Sequence, residues 1–392
     1  MEITADIKYV GVNDYQIDLF EGMYRVPEGM AYNSYVILDD KIAIVDTVDA
    51  QFAGEWLEKI DAVLGGRKPD YLIVQHMEPD HSANIMKLLE RFPEIIPVSS
   101  QRAFGMMKNF FGTDFQGKRI VVSEGDTLAL GRHKLRCMEA PMVHWPEVIM
   151  TYDVTDKVLF SADAFGRFGA VENNGQTKSV KSWGNEAARY YFGIVGKYGL
   201  YVQKLLGKAA SLDIRQICPL HGPVLQKNIA EYMGLYNKWS SYKPEKEGVV
   251  IAYTSVYGNT KRAVEMLAEK LEKNCCGEVI IHDLARCDMM EAVADAFRFD
   301  NLVLATTTYN AEIFPFMREF ISHLTERNFC NRKVGLMENG GWAPIAAKIM
   351  RERLEKCKGL EFVEPVVRIL SVPGQENVQQ MNLLATNLGK RK

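Results

Sequence analysis

A polar segment directly after an apolar run constrains the fold of this chain more than any other feature. Residues 71–74 (YLIV) have the composition of a buried β-strand, and residues 75–82 (QHMEPDHS) follow at once. The potential ligands in this segment are His76, Glu78, Asp80 and His81. An extended backbone would place the first three on one side, whereas the fourth would reach a second point. The segment therefore predicts a metal site, and it indicates two metal ions rather than one.

A simpler interpretation of this segment is a capped turn in front of the helix predicted near residues 86–89. Asp80 or Ser82 would then be the N-cap of that helix. This interpretation accounts for one polar residue and leaves both histidines unexplained, so metal binding is favoured.

The same arrangement recurs at three later places in the first half of the chain. Apolar strands predicted at 135–140, 157–161 and 214–219 are each followed by a histidine or an aspartate. If these strand ends share one edge of a layered α/β sandwich, the polar groups meet although they are distant in sequence. The collected candidate ligands are His76, Glu78, Asp80, His81, His144, Asp163 and His221. The set contains no thiolate, which argues against a structural zinc site and favours iron or manganese, although zinc also accepts such ligands.

The second half of the chain has a different pattern, in which short apolar runs alternate with helical segments. The runs lie at 249–253, 279–282, 301–305, 333–337 and 365–370, after a polar linker at 240–248. This alternation predicts a doubly wound parallel sheet of five strands. We therefore expect two domains, residues 1–243 and residues 248–392.

Three loops that follow strands of this sheet carry the features of a flavin site. The hydroxyl-rich first loop opens a helix, where backbone N–H groups bind phosphate without a lysine. Aromatic side chains in the other two loops could stack on a planar ring, although covering the loop cores would explain them too. The candidate residues are Thr254, Ser255, Val256, Tyr257, Gly258, Asn259, Thr260, Thr307, Thr308, Tyr309, Asn310, Asn339, Gly340, Gly341 and Trp342. The sequence has no GxGxxG motif, which disfavours NAD and FAD of the Rossmann type.

The pattern His-x-Glu-x-Asp-His with the distant His, Asp and His resembles the metallo-β-lactamase fold in its flavodiiron variant. The second half is similar to a flavodoxin domain that binds FMN. The resemblance implies an α/β protein with an N-terminal αββα sandwich, a C-terminal flavodoxin-like sheet, FMN and two iron ions. It assigns His76, Glu78 and His144 to one iron, Asp80, His81 and His221 to the other, and Asp163 to a bridge. Glu78 stands where zinc hydrolases of this fold usually carry a second histidine, which favours iron.

The family places a tyrosine near the irons, and Tyr190 and Tyr191 fall at that place in the sequence. A position in the hydrophobic core explains these two residues nearly as well as a role in proton donation. The remaining histidines, His133, His282 and His323, have no ligand neighbour at a useful spacing. We expect each of them to be structural or exposed.

The resemblance implies reduction of dioxygen to water, of nitric oxide to nitrous oxide, or of both. A reduced flavin and a diferrous pair together hold the electrons that one dioxygen needs to form water. The main alternative is a dizinc hydrolase with an appended flavodoxin domain, and a third interpretation is an electron carrier with a structural metal site. The implied electron donor is a rubredoxin or a reduced deazaflavin. No rubredoxin or flavin-reductase extension is expected.

Charge and cysteine content limit the partners and the compartment. A net charge of −3 gives no electrostatic reason to expect binding to nucleic acid or to an anionic membrane. No apolar run approaches the roughly 20 residues of a membrane helix, and the N-terminus does not resemble a signal peptide. The seven cysteines are scattered without a CxxC motif, so reduced thiols in the cytoplasm are expected. The short linker predicts a head-to-tail homodimer, or a dimer of dimers, in which each flavin faces the irons of the other chain.

Overall fold

The computed structural model describes residues 3–171, 180–274 and 277–390, and the chain divides into two compact units. These units are Met1–Asn237 and Lys238–Lys392. The division falls inside the helix Ile229–Ser240, just before the predicted linker. The exact domain limits near residues 243 and 248 stay a prediction.

The first unit contains two main sheets and two small sheets of two strands each. In chain order its strands are β1 (Ile7–Tyr9), β2 (Val12–Asp14), β3 (Leu19–Phe20), β4 (Tyr24–Arg25), β5 (Met30–Tyr32), β6 (Tyr35–Ile37), β7 (Ala43–Val45), β8 (Tyr71–Ile73), β9 (Ile96–Ser99), β10 (Ile120–Val121), β11 (Thr127–Ala129), β12 (Lys134–Glu139), β13 (Ile149–Asp153), β14 (Val158–Phe160) and β15 (Gln216–Cys218). The first sheet has the order β1-β6-β7-β8-β9-β10, and the second has the order β11-β12-β13-β14-β15. Strand β2 pairs with β5, and β3 pairs with β4.

The helices of the first unit are α1 (Ala53–Leu64), α2 (Pro79–Ser82), α3 (Ile85–Arg91), α4 (Gln101–Phe111), α5 (Val180–Tyr190), α6 (Gly199–Ala209) and α7 (Ile229–Ser240). A π-helical segment, Tyr191–Val195, directly continues α5. Helix α1 buries Trp56, Ile60 and Leu64, which recur on one face at helical spacing. Such a face packs against a sheet while the opposite face stays in water.

The two main sheets of this unit pack against each other through one apolar core. Buried side chains of the first sheet, such as Tyr35 and Ile73, share this core with Ile149 and Phe160 of the second. A sheet with an apolar inner face requires such a partner, which gives the layered sandwich that the sequence predicts.

The strand directions bring the ends of three strands to one edge of the second sheet. Strands β12 and β13 are antiparallel, β13 and β14 are antiparallel, and β14 and β15 are parallel. The carboxyl ends of β12, β14 and β15 therefore point the same way. Gln75, which follows β8 of the first sheet, forms hydrogen bonds to residues of the second sheet. The side-chain amide of Gln75 donates to the Phe160 carbonyl at 2.8 Å, and the backbone carbonyl of Gln75 accepts from the Ile149 N–H at 3.1 Å.

The backbone after β8 differs from the extended path predicted through Asp80. Glu78 is extended, with φ −59° and ψ 138°, but residues Pro79–Ser82 form the helical turn α2. Pro79 occupies the first turn, where its fixed φ favours helix and its missing N–H is not needed. The predicted alignment of Asp80 with His76 and Glu78 is therefore wrong. Neither Asp80 nor Ser82 caps α3, because the residue before that helix is Asn84.

The second unit is a parallel sheet with the strand order of a doubly wound fold. Its strands are β16 (Lys246–Tyr253), β17 (Glu278–Asp283), β18 (Phe299–Tyr309), β19 (Glu312–Ile313), β20 (Lys333–Asn339) and β21 (Glu361–Ile369), and its helices are α8 (Asn259–Lys273), α9 (Met289–Arg298), α10 (Pro315–Glu326), α11 (Ala346–Leu354) and α12 (Gln375–Gly389). The order β17-β16-β18-β20-β21 is parallel at every step. Short β19 pairs antiparallel to β18 and lies off this path. The predicted five-stranded parallel sheet is thus confirmed.

No helix in the described part of the chain is both long and apolar enough to cross a membrane.

Candidate metal centre and flavin site

Four of the seven predicted ligands form a cluster, called here the first cluster: His76, Glu78, His144 and Asp163. His144 Nε2 lies 3.0 Å from Glu78 Oε2 and 3.0 Å from Asp163 Oδ2. His76 Nε2 lies 3.2 Å and 3.3 Å from the same two oxygens. The two imidazoles and two carboxylates therefore converge on one point.

The other three predicted ligands form the second cluster: Asp80, His81 and His221. The Nε2 atoms of the two histidines are 3.0 Å apart, and Asp80 Oδ2 lies 3.3 Å from each. Asp163 reaches this cluster with its other oxygen, because Oδ1 lies 3.4 Å from His81 Nε2 and 3.8 Å from His221 Nε2. One carboxylate thus spans both clusters.

These distances fit two metal ions better than they fit hydrogen bonds alone. Two ligands bonded to one ion at about 2.1 Å, and roughly at a right angle, lie roughly 3 Å apart. Asp163 Oδ1 and both oxygens of Asp80 are buried and accept no hydrogen bond from the described residues. Buried carboxylate oxygens without a donor are unfavourable unless a cation neutralises them. The residues present therefore fit a dinuclear site.

The charges of the first cluster depend on one another. Burial opposes ionisation of Asp163, but His76 and His144 outweigh it and hold the pKa of that carboxyl well below its usual range. Burial likewise opposes protonation of His144, and Asp163 and Glu78 outweigh it and raise its pKa to about 9. Protonated imidazoles thus balance the carboxylates in this cluster, and bound cations would replace those protons.

Two further carboxylates contact residues of this site, and they are not among the ligands predicted from the sequence. Glu147 Oε1 lies 2.8 Å from His76 Nδ1, and Asp46 Oδ1 accepts from the backbone N–H of Gln75 at 2.7 Å. Asp46 directly follows the apolar strand β7, so the strand-end pattern applied to it as well. Glu147 lies three residues after His144 in the same loop, and this spacing alone did not indicate that Glu147 contacts His76.

Of the two tyrosines singled out from the sequence, Tyr190 is the one close to the second cluster. Its ring centroid lies 5.5 Å from that of His221. Burial, and then the charges of Asp163 and Glu78, raise the pKa of Tyr190 well above its usual value. Tyr191 packs instead on Phe192 and Tyr236, with centroids 5.2 Å and 5.1 Å away. A role for either tyrosine in proton donation stays a prediction.

A third group of potential ligands surrounds His133, which is buried. Its Nδ1 lies 2.9 Å from Asp153 Oδ2. The Arg132 guanidinium lies 2.8 Å from His133 Nε2 and pairs with Asp156 at 3.0 Å. A resident side-chain cation therefore already neutralises this group, and a structural role explains it.

A cavity of about 300 Å³ lies at the carboxyl edge of the sheet in the second unit. Its lining residues are Ser255, Val256, Tyr257, Asn259, Thr260, Thr307, Thr308, Tyr309, Asn339, Gly340, Gly341, Trp342 and Ser371. Three loops predicted from the sequence thus meet at one cavity. Thr254, Gly258 and Asn310, which were also predicted, do not line it. Ser371 was missed, although it follows the fifth strand as the other lining residues follow theirs.

The cavity fits a phosphorylated planar ring. Gly258, with φ +88°, precedes α8 and lets the loop turn so that the N-terminus of this helix faces the cavity. Thr307 Oγ1 is buried and has no hydrogen-bond partner among the described residues. Tyr257 and Trp342 are 95% and 86% exposed, which leaves large aromatic surfaces for a ligand to cover. Thr254 is instead buried and bonds Thr306 Oγ1 at 2.6 Å.

The fold and the two sites define a class of protein, namely a two-module oxidoreductase that joins a dinuclear metal domain to a flavodoxin domain. The model of the ODP family beta lactamase matches residues 30–222, and the model of the flavodoxin domain matches residues 250–369. A nitric oxide reductase of Moorella thermoacetica is 31% identical over 396 residues, covering 99% of this chain and 98% of the relative. An anaerobic nitric oxide reductase flavorubredoxin of Salmonella paratyphi B is 28% identical and covers 90% of this chain, which spans 74% of that relative.

Among solved structures, rubredoxin:oxygen oxidoreductase from Desulfovibrio gigas superposes with a TM-score of 0.92 at 26% identity. The match covers 99% of this chain and 97% of that one. The flavodiiron protein of Giardia intestinalis has the same fold, with a TM-score of 0.92 at 24% identity over 99% of this chain and 95% of that one.

This chain belongs to the flavodiiron protein family. The predicted fold class is confirmed, as are the predicted oxidoreductase class and the cofactors FMN and a non-haem diiron centre.

Proposed function

We propose that this protein reduces dioxygen to water, nitric oxide to nitrous oxide, or both, with electrons that pass through FMN. The observation that carries this proposal is the pair of buried clusters that share Asp163 and contain no thiolate. The relatives named for their reactions include a nitric oxide reductase and a rubredoxin:oxygen oxidoreductase, so they support both substrates.

The proposed roles in the metal centre follow from the geometry of the two clusters. His76, Glu78 and His144 hold one iron, and Asp80, His81 and His221 hold the other. Asp163 would be shared by both ions, since each of its oxygens faces a different cluster. When bound, the irons and FMN supply redox chemistry that no side chain provides. The protein keeps the ligands buried, and Tyr190, whose ring centroid lies 5.5 Å from that of His221, is the proposed proton donor.

The proposed flavin site is the cavity at the carboxyl edge of the second sheet. The loop at residues 255–260 binds the phosphate through hydroxyls and the backbone N–H groups of α8. Tyr309 and Trp342 contact the ring system, and Gly340 and Gly341 allow the backbone to approach it closely. The hydroxyl of Thr307, which has no partner in the described structure, donates to or accepts from the flavin.

We further propose the electron donor, the assembly and the compartment. A rubredoxin or a reduced deazaflavin is the donor, in line with the name of the Desulfovibrio gigas protein. A head-to-tail homodimer, alone or as a dimer of dimers, would place the flavin site of one chain next to the metal site of the other. The five described cysteines are free, which supports a reducing cytoplasm.

Single-turnover mixing under anaerobic conditions tests the proposed reaction. Fully reduced protein is mixed with dioxygen and with nitric oxide separately, and flavin oxidation and products are followed. Rapid flavin oxidation with water or nitrous oxide as product supports the proposal. Flavin oxidation that yields only hydrogen peroxide, together with no reaction toward nitric oxide, contradicts it, because free reduced flavin does the same.

A further inference from the structure

The histidine Nδ1 atoms in the two clusters have different environments. His76 presents Nε2 to the first cluster, while its Nδ1 lies 2.8 Å from Glu147 Oε1. His221 also presents Nε2 to its cluster, but its Nδ1 lies 2.8 Å from the carbonyl oxygen of Ala31. His81 Nδ1 has no hydrogen-bond partner among the described residues. Of these three histidines, only His76 is paired with a carboxylate on the side away from the cluster.

Further hydrogen bonds fix the position of Glu147, so that it meets the His76 ring in one orientation only. Its Oε1 also accepts from the backbone N–H of Met77 at 2.9 Å, one residue beyond the histidine. Its backbone carbonyl accepts from Ser100 Oγ at 2.8 Å, at the start of α4. The side chains of Glu147 and His76 are both 0% exposed. The carboxylate is therefore fixed by the same backbone that carries its partner.

This contact decides which nitrogen of His76 is available to a metal. A carboxylate only accepts hydrogen bonds, so Nδ1 of His76 carries a hydrogen, and Nε2 is the nitrogen that remains for a metal ion to bind in place of a proton. An anionic acceptor also makes the imidazole a stronger electron donor than a neutral carbonyl does. His76 therefore becomes a stronger electron donor in the first cluster, whereas His221 in the second cluster is paired only with the neutral carbonyl of Ala31.

We propose that Glu147 is a positioning residue that fixes the tautomer and orientation of His76 and strengthens metal binding in the first cluster selectively. This inference rests on the proposed function, since it assumes that the clusters hold metal ions. Glu147 acts through His76 and does not itself contact the metal. Its second oxygen, Oε2, is buried without a hydrogen-bond partner among the described residues.

The test is the equilibrium affinity for each of the two ions, measured by competition with a chelator on the full-length protein without turnover. Glu147→Gln keeps the shape and an acceptor oxygen but removes the charge. We expect this variant to bind one of the two Fe(II) ions about 10–100-fold more weakly. Its affinity for the other ion should be unchanged, and it should retain FMN. The electron paramagnetic resonance spectrum of the mixed-valent iron pair should change as well, because His76 becomes a weaker electron donor to its iron. Glu147→Asp, which restores the charge, should recover part of the affinity.

Glu139→Gln is the matched control. Glu139 is exposed and lines the same cavity of about 340 Å³ as Glu147. This variant should bind both ions as the wild type does. Unchanged affinity for both ions in Glu147→Gln would overturn the inference. So would an equal loss of both ions with a lower melting temperature of the metal-free protein, because that result indicates a general structural role.

The same titration with zinc separates this inference from the proposed function. A wild-type protein that rejects iron and binds two zinc ions contradicts the proposed function. A selective effect of Glu147→Gln on one zinc ion would still support the positioning role.

Discussion

The Nε2 atoms of His81 and His221 lie 3.0 Å apart in a pocket where both side chains are completely buried. At that distance the two rings either share one proton or bind one cation, since two lone pairs cannot face each other without cost. Asp80 Oδ2 lies 3.3 Å from both nitrogens and supplies a negative charge at the same point. The three groups are thus preorganised for a positive ion.

Replacing the shared carboxylate tests the bridging role. Asp163→Asn keeps the shape of the side chain but removes a negative charge that faces both clusters. We expect iron content to fall below two per chain and turnover to drop by more than about 100-fold. FMN should remain stoichiometric, because the flavin cavity lies in the other unit. Elemental analysis and flavin absorbance measure both effects, with Asp156→Asn as a control. Full turnover in Asp163→Asn would show that the bridge is assigned wrongly.

Distorting the loop before α8 tests the flavin site. Gly258 has φ +88°, a conformation that a β-branched residue adopts only with strain. Gly258→Val should therefore displace the start of α8 and release FMN while iron stays bound. Gly117→Val is the matched control, because Gly117 also has φ +88° and open space around it but lies in the first unit. Flavin retained in Gly258→Val, or lost equally in both variants, would exclude this loop as the phosphate site.

An ion pair between buried Arg298 and half-buried Glu245 makes the stability of the second unit depend on pH. Glu245 accepts two hydrogen bonds from Arg298, at 3.0 Å each, and one from the Trp239 indole at 2.9 Å. Burial opposes the charge, but Arg298 outweighs it and lowers the pKa of Glu245 from its ordinary value of 4.5. Because the pKa is lower in the folded state, the stabilisation is complete above about pH 4.5 and is lost as the pH falls through the folded-state pKa.

Glu245→Gln should thus lower the free energy of unfolding by about 3 kcal/mol at neutral pH, and the difference from wild type should shrink in acid. Urea unfolding of the full-length protein, followed by the release of FMN fluorescence, measures this difference. Glu355→Gln removes an exposed carboxylate of the same unit and serves as the control. The ionic explanation would be refuted if the difference in free energy of unfolding between wild type and Glu245→Gln stayed constant from pH 7 to below 4.5, the ordinary pKa of Glu245.

Mixed dimers test the proposed transfer of electrons between chains. One parent carries His81→Ala with His221→Ala, and the other carries Gly258→Val. Each parent alone should be inactive as a reductase. After dissociation and reassociation, the mixed dimer should regain activity through one intact flavin and one intact metal centre on different chains. Mixed dimers that form but remain inactive would indicate that transfer runs within one chain.

The sequence was sufficient to predict the strand-end residues of the candidate metal site. His144, Asp163 and His221 each follow a strand whose carboxyl end points to the same edge. The sequence predicted the strands and the polar residues after them, and the shared edge entered only as a condition. The same pattern covered Asp46 and Ser371, but a single polar residue after a strand also occurs in any turn. Nothing in the sequence distinguished these two residues from ordinary turn residues.

Side-chain direction within loops could not be predicted in the same way. Asp80 joins the second cluster because Pro79 begins a helical turn, whereas alternation along an extended backbone would have placed it with Glu78. The contact between Glu147 and His76 joins residues 71 positions apart, and it depends on how the loop after β12 folds back over the end of β8. Such contacts follow from tertiary packing rather than from local spacing.

The metal content of active protein tests the central claim most directly. Metal-free protein that retains FMN is reconstituted with iron or with zinc, and reductase and hydrolase activities are measured on both preparations beside their metal content. We predict about two irons per chain, reduction of dioxygen or nitric oxide only in the iron form, and no hydrolase activity in either form. A protein that takes up two zinc ions, hydrolyses ester substrates in that form and shows no reductase activity with iron would contradict the assignment.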